Sequence, residues 1–112
     1  MTLLARTERA VCPLAVLSPG RGVAALVDGY PIAVFLLADG SLHAIDNVDP
    51  CCGAGVLSRG VVGDADGVPT VASPMFKQRF DLRTGQCLDD DATIAVHEIS
   101  CVDGMVRVRL AG

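Results

Sequence analysis

Five cysteines and two histidines are the side chains of this 112-residue chain best suited to bind a metal or carry a redox reaction. The cysteines are Cys12, Cys51, Cys52, Cys87 and Cys101. They form no Cys-x-x-Cys pair, the short zinc signature, and the adjacent Cys51 and Cys52 point opposite ways in an extended chain. His43 and His97 each lie inside a predicted strand with no cysteine at ligand spacing. The sequence therefore predicts free thiols and no metal site, with a strained redox-sensing pair at Cys51-Cys52 as a minor alternative.

Charge and composition exclude several classes of partner. A formal net charge of −4 and an aromatic content of 4% make the chain poorly suited to neutralise phosphates or to stack on bases. The most apolar run, residues 31–38, is far shorter than the roughly 20 residues of a membrane-spanning helix. Residues 2–10 lack the features of a secretory signal, and an odd number of cysteines is typical of a reducing compartment. We expect a cytoplasmic protein that binds neither nucleic acid nor membrane.

Strands must position these side chains, because short apolar runs broken by Gly, Pro and Asp recur every eight to twelve residues or so. Helices are nearly absent from the prediction. Asp-Gly pairs at 28–29, 39–40, 66–67 and 103–104 are typical of tight turns between antiparallel strands. The predicted strands cover residues 10–13, 21–27, 32–37, 42–46, 60–63, 68–72, 79–82, 86–88, 94–99 and 105–110. We predict one all-β domain over residues 1–112, with 1–9 as a loose N-terminal segment.

Two long loops interrupt the alternation of strands and turns. Residues 47–59 show no period of two and carry Pro50, Gly53 and Gly55, and a second loop begins at Ser73-Pro74. Each loop leaves a strand and is followed by glycine-marked turns. This plan resembles the Rieske iron–sulfur fold, which implies an antiparallel β barrel or sandwich with two long loops at the cluster site.

The second loop carries the most specific part of the resemblance. Residues 73–85 look like the Rieske segment Cys-Pro-x-His-Gly-x-x-Phe-Asp-x-x-Thr-Gly, and the tail matches at Phe80, Asp81, Thr84 and Gly85. The cluster ligands do not match. Ser73 stands at the cysteine and Phe76 at the histidine.

The first loop departs from the Rieske pattern in the same way. Residues 47–60 resemble Cys-x-His-x-Gly-x-x-Leu-x-x-Gly when Leu57 and Gly60 are aligned, which puts Pro50 at the cysteine and Cys52 at the histidine. A Rieske [2Fe–2S] centre needs two thiolates on one iron and two imidazoles on the other. None of the four positions keeps its ligand, so the resemblance implies a Rieske-like domain without a cluster.

Three short motifs narrow the resemblance to one family. Asn-Val-Asp-Pro at 47–50, Leu-Ser-Arg-Gly at 57–60 and Ser-Pro-x-x-Lys-Gln-x-Phe-Asp at 73–81 closely resemble the small subunit of bacterial assimilatory nitrite reductase. The resemblance covers about residues 11–110, and Cys51-Cys52 is one departure from it. It implies a large subunit that carries FAD, siroheme and an iron–sulfur cluster and passes six electrons from NAD(P)H to nitrite to give ammonium. This chain would then be a non-catalytic subunit with no cofactor of its own.

We expect the two former cluster loops to serve as a docking surface for that large subunit, because apolar groups clustered in water commonly mark an interface. The predicted docking residues are Cys51, Val56, Arg59, Met75, Phe76, Lys77 and Arg79. Plainer interpretations stay open. Phe76 fills the space of the missing cluster, Ser73 only caps the loop backbone, and the three cations are solvated surface.

Two other classes of function compete with this interpretation. One is a Rieske-type ferredoxin that carries electrons on an atypical [2Fe–2S] centre held by Cys51, Cys52 or Cys87. The other is a free-standing β module unrelated to nitrite. Two iron atoms per chain with visible absorbance would favour the ferredoxin, and the absence of a neighbouring reading frame for a siroheme flavoprotein would favour the module.

Overall fold

The computed structural model of the chain describes residues 7–111 and is built almost wholly from antiparallel strands. Nine strands form a six-stranded sheet in the order β1-β9-β8-β4-β3-β2, which curls into a nearly closed barrel, and a three-stranded sheet in the order β5-β6-β7. The strands are β1 Arg9–Pro13, β2 Gly22–Val27, β3 Tyr30–Leu36, β4 Leu42–Asp46, β5 Val61–Ala65, β6 Val68–Ala72, β7 Arg79–Asp81, β8 Val96–Val102 and β9 Met105–Arg109. The predicted all-β fold is confirmed.

The N-terminal segment falls partly outside this description. Residues 1–6 of the predicted loose segment 1–9 lie outside the described residues. Arg9 already opens β1, opposite Val108 of β9. Glu8 accepts a hydrogen bond of 2.9 Å from the Arg107 guanidinium. Strand pairing and an ion pair thus hold the end of this segment on the barrel.

Three of the four Asp-Gly pairs form hairpin turns with a left-handed backbone at both residues. The φ angles are 51° and 80° at Asp28-Gly29, 52° and 88° at 66–67, and 51° and 77° at 103–104. Aspartate tolerates this region better than most residues and glycine enters it freely, so the pair suits the turn that matches strand twist. These turns join β2 to β3, β5 to β6 and β8 to β9.

Two predicted strand positions are wrong in detail. Residues 86–88 form no strand, because the Cys87 amide donates to the Ala92 carbonyl while the Leu88 amide donates to the Arg79 carbonyl. The segment thus bonds to two different neighbours and makes only isolated bridges. The strand predicted at 94–99 begins at Val96 and runs to Val102, because the Ile94 amide is held by the Gly85 carbonyl.

Two cores hold the sheets together. One lies where the two sheets meet and contains Phe35, Ile45, Leu57, Phe80 and Leu82, all fully buried. The other lies within the six-stranded sheet and contains mostly valine, leucine and alanine. The described helices are single 3₁₀ turns at Leu14–Val16 and Leu57–Arg59. Within residues 7–111, no helix has the length and apolarity needed to span a membrane.

Candidate functional site

The two loops that would hold the cluster in a Rieske protein lie side by side in this structure. We call residues 47–60, which follow β4, the first loop, and residues 73–78, between β6 and β7, the second loop. Leu57 anchors the first loop because its side chain is fully buried in the core between the sheets. A Cβ at Gly60 would lie 2.5 Å from the Ala72 carbonyl oxygen, so glycine there lets the first loop reach the strand that leads into the second.

Asn47 closes the first loop upon itself. Its side-chain oxygen accepts a hydrogen bond of 2.7 Å from the Ser58 amide, and its side-chain nitrogen donates to the Gly55 carbonyl at 3.3 Å. Its own carbonyl accepts from the Leu57 amide at 3.0 Å. One buried side chain thus fixes both ends of the loop, which accounts for the pairing of Asn-Val-Asp-Pro with Leu-Ser-Arg-Gly in the sequence.

A buried pair of polar side chains joins the first loop to the second. The Ser73 hydroxyl donates a short hydrogen bond to the Asp49 carboxylate, and both residues are almost completely buried. The other carboxylate oxygen of Asp49 accepts from the Cys51 amide at 2.8 Å, and the Ser73 hydroxyl accepts from the Met75 amide at 3.2 Å. We call Asp49 and Ser73 the loop junction. Ser73 does cap the Met75 amide, but the interpretation that it only caps the backbone is incomplete, because its hydroxyl also bonds Asp49, which the sequence did not reveal.

The second loop keeps a backbone shape that suits glycine although it has none. Lys77 stands at the glycine of the Rieske pattern and has φ of 63°, in the left-handed region. The Lys77 amide donates to the Ser73 carbonyl at 2.9 Å, and the Ser73 amide donates to the Gln78 carbonyl at 2.9 Å. These two bonds close the loop, and they need the left-handed turn at Lys77.

The side chains at the four former ligand positions do not fit a [2Fe–2S] cluster. Pro50 and Phe76 carry no donor atom, Ser73 offers a hydroxyl engaged by Asp49, and only Cys52 offers a sulfur. Within residues 7–111, no three or more His, Cys, Asp or Glu side chains are grouped so that they could hold a metal ion. The chemistry of this donor set therefore differs from that of a Rieske centre.

The alternative prediction that Phe76 fills the space of the cluster is wrong. Phe76 is 61% exposed and Met75 is 54% exposed, so both side chains point away from the core. Val48 of the first loop is 37% exposed, and Pro50 and Cys51 beside it are also exposed. These five residues, three of them large and apolar, form what we call the loop rim.

The predicted docking cations have different surroundings. Arg79 is held by Asp89 through bonds of 3.1 and 2.9 Å from its guanidinium, and its backbone amide donates to the same carboxylate at 2.8 Å. These hydrogen bonds lower the pKa of Asp89. Lys77 is exposed beside the rim. Arg59 lies with Arg21 in a separate cleft, and Val56 is half-buried.

A groove opens between the second loop and the acidic run that follows residue 88. It encloses about 620 Å³ and is lined by Cys51, Phe76, Lys77, Gln78, Arg79, Asp89 and Asp90. Three adjacent carboxylates, Asp89, Asp90 and Asp91, make up this run. Its carboxylates are exposed, yet Asp89 binds Arg79 and Asp90 accepts from the Ala92 amide at 2.7 Å. Sequence reasoning missed this groove because its walls are 10 or more residues apart in the chain.

The thiols nearest the loops favour the protonated form. Desolvation raises the pKa of Cys51 and outweighs the opposing hydrogen bond from the Gln78 side chain. Desolvation also raises the pKa of Cys87, which lies in the core. Since the thiolate is the form that attacks a disulfide or binds a metal, neither residue is activated for that chemistry.

Both histidines occupy strands, as predicted. His97 is buried and accepts a hydrogen bond of 2.9 Å from the Ala111 amide at Nδ1, so its Nε2 donates to Asp46 at 3.0 Å. The same Asp46 oxygen accepts from the Tyr30 hydroxyl at 2.8 Å. Desolvation lowers the pKa of His43, whose Nε2 lies 3.1 Å from the Ser41 hydroxyl. Both rings thus have polar partners within the sheet.

Comparisons with known proteins agree with this architecture. The family of Rieske-like [2Fe-2S] domains matches residues 9–109. A nitrite reductase (NADH) small subunit from Salmonella typhimurium is 40% identical over 101 residues, which cover 88% of this chain and 94% of that protein. A crystal structure assigned to an NADH-dependent nitrite reductase small subunit from Mycobacterium tuberculosis superposes with a TM-score of 0.91 at 43% identity, over 96% of this chain and 97% of that one.

A longer relative contains a segment similar to almost the whole chain. A nitrite reductase [NAD(P)H] large subunit from Klebsiella oxytoca is 37% identical over 107 residues. The match covers 95% of this chain but 11% of that protein. In that polypeptide, therefore, a segment resembling this chain is covalently joined to the rest of the subunit.

Proposed function

Since this chain belongs to the nitrite reductase small subunits of the Rieske-like family, we propose that it assists the NAD(P)H-dependent six-electron reduction of nitrite to ammonium by docking onto the large subunit. FAD, siroheme and an iron–sulfur cluster belong to the large subunit in this proposal, and this chain contributes no cofactor. Five free cysteines suit a reducing compartment, so we place the complex in the cytoplasm.

The loop junction is the observation that best supports a structural rather than a redox role for this chain. In a Rieske protein the two loops are held together by the cluster between them. Here the hydrogen bond between Ser73 and Asp49 joins them, so the loops need no metal to keep their arrangement. A chain built in this way can present a fixed surface, whereas electron transfer must be the work of another component.

The loop rim is the surface best suited to dock. Met75 and Phe76 are adjacent, more than half exposed, and carried by a second loop that two backbone hydrogen bonds close, from the Ser73 amide to the Gln78 carbonyl and from the Lys77 amide to the Ser73 carbonyl. Rigid, exposed apolar side chains of this kind are typical of the centre of protein–protein interfaces, where aromatic residues and methionine are enriched.

The large subunit is the partner favoured by the Klebsiella relative. Because a segment like this chain is joined there to a protein named as a large subunit, the two parts occur in equal numbers in one polypeptide. A separate small subunit that binds the large subunit would reproduce the same arrangement without the covalent link.

The test is copurification with the large subunit, followed by nitrite-dependent oxidation of NADH with and without this chain. We expect Phe76→Asp to weaken binding by about tenfold or more without unfolding the chain, because a buried charge is costly at an interface core. Val16→Asp is the matched control, since Val16 is 59% exposed in a turn of the barrel and is not part of the rim. Equal binding by both variants would refute docking through the rim.

Iron analysis separates this function from the ferredoxin alternative. The donor set at Pro50, Cys52, Ser73 and Phe76 predicts that protein purified without oxygen contains no stoichiometric iron. Two irons per chain, with the visible absorbance of a [2Fe–2S] centre, would contradict the docking function and indicate that the chain is an electron carrier.

A further inference from the structure

The groove beside the loop rim contains hydrogen-bond acceptors that the chain itself does not use fully. Gln78 is only 7% exposed, and its side-chain oxygen has no hydrogen-bond partner within the described residues. A buried acceptor without a donor destabilises the free chain, so its presence at a groove calls for an explanation. Gln78 lines the groove, and a turn about the soft last torsion of its side chain exchanges the amide nitrogen, which donates to Cys51, with the oxygen, which then meets a donor in the groove.

Asp90 supplies the second unmatched group. One of its oxygens accepts from the Ala92 amide at 2.7 Å, and the carboxylate otherwise faces neutral thiols, with the Cys51 sulfur 3.7 Å from the second oxygen and Cys87 also beside it. No cation within residues 7–111 forms an ion pair with this carboxylate, whereas the neighbouring Asp89 is fully engaged by Arg79. The carboxylate of Asp90 is thus available to a positive charge from outside the chain.

The third feature is the aromatic ring at the edge of the groove. Phe76 is 61% exposed and lines the same groove as Gln78 and Asp90. The face of an aromatic ring attracts cations, and the planar guanidinium group both stacks on such rings and donates several hydrogen bonds at once. An aromatic ring, a carboxylate and an amide oxygen together make a set of groups complementary to arginine.

We propose that the groove between Phe76, Gln78 and Asp90 receives an arginine side chain of the large subunit. The proposal rests on the docking function proposed above and names the chemistry of the partner residue. The cation stacks on Phe76, pairs with Asp90 and donates to Gln78. The chain's formal net charge of −4 favours approach of a positively charged surface. Lys77 lies on the same wall as Phe76 and Gln78, and its side chain is exposed, so it can extend into solvent.

Two substitutions test the groove in the full chain, with affinity for the large subunit measured at two salt concentrations. Asp90→Asn keeps an oxygen for the Ala92 amide but removes the charge. We expect it to weaken binding about tenfold at low salt and to flatten the salt dependence. Asp91→Asn is the matched control, because Asp91 is an exposed neighbour that does not line the groove and should have no comparable effect.

Gln78→Met removes the unpaired acceptor at nearly constant volume, together with the weak hydrogen bond from the Gln78 amide to the Cys51 thiol. We expect opposite signs in two measurements, since thermal stability should stay equal or rise while affinity falls about fivefold. A residue with a purely structural role would lower both. A fall in melting temperature with unchanged affinity would overturn the assignment of Gln78.

The outcomes distinguish this proposal from the broader one. If Phe76→Asp weakens binding while Asp90→Asn and Gln78→Met leave it unchanged, docking through the rim stands and the arginine site is wrong. If Asp90→Asn strengthens binding and Lys77→Ala weakens it, the partner group is an anion and the proposal is overturned. If none of these variants affects binding, docking through this end of the molecule is also refuted.

Discussion

The loop junction and the loop rim belong to the same two loops, yet their chemistry is opposite. At the junction, Asp49 and Ser73 are buried, and both carboxylate oxygens of Asp49 and the hydroxyl of Ser73 have hydrogen-bond partners. A few residues away, Met75 and Phe76 are apolar and more than half exposed, and Gln78 has an unpaired oxygen. The polar groups of the junction are thus paired within the chain, whereas the rim leaves large apolar side chains exposed to solvent. The difference indicates that the inner half of the loops maintains the fold, whereas the outer half is the part that the proposed docking would use.

The largest effect should come from breaking the junction. Ser73→Ala leaves the Asp49 carboxylate buried with the Cys51 amide as its remaining described donor, so we expect a loss of about 2 kcal/mol and a melting temperature lower by roughly 10 °C. Thermal unfolding monitored by circular dichroism measures it. Ser18→Ala, at an exposed turn, is the control and should change little. Equal melting temperatures for the two variants would contradict the role of the junction.

A smaller effect is expected from the ion pair that borders the groove. Hydrogen bonds from Arg79 hold the pKa of Asp89 below its ordinary value of 3.8, so the folded state favours the charged carboxylate. This stabilisation is present above that ordinary value and is lost as the pH falls through the lower folded value. Asp89→Asn should therefore be less stable than the native chain at neutral pH, with the difference shrinking towards pH values well below 3.8.

Melting temperatures measured across this pH range check the sign of that effect. Asp91→Asn again serves as a control, because Asp91 forms no described ion pair. A difference between native chain and Asp89→Asn that grows on acidification would contradict the ion pair as its cause.

The smallest effect should come from placing glycine at Lys77, the left-handed residue of the second loop. Lys77→Gly relieves the backbone at φ 63° but adds freedom to the unfolded chain, so the two contributions should cancel to within about 0.5 kcal/mol. Lys77→Val should destabilise by roughly 1–2 kcal/mol, because a β-branched residue is strained in this region. Urea denaturation of the two variants measures the contrast. Equal losses in both would show that the side chain, rather than the backbone, matters at this position.

The positions of the strands and loops could be predicted from the sequence more readily than the contacts within the candidate site. The Asp-Gly pairs and alternating apolar runs gave nearly every strand, because turn chemistry and the period of two are local properties. Residues 86–88 were misassigned because their hydrogen bonds go to two separate segments, which a local pattern does not record.

The loop junction and the groove depend on contacts between distant parts of the chain. Asp49 and Ser73 are 24 residues apart, and each has an ordinary explanation as a turn residue on its own. The residue type of Phe76 is compatible both with filling a void and with facing a partner. Its exposure in the structure excludes the first of these two roles. Residue types identified the loops, but the pairing between them came from the three-dimensional arrangement.

The bond between Asp49 and Ser73 also bears on how the subunit is made. Both groups are encoded in the polypeptide and are present as soon as it leaves the ribosome. Closing the two loops therefore requires no delivery of iron or sulfide, and oxygen has no labile centre to attack at that point. These two loops can therefore reach their arrangement at a pace set by folding alone.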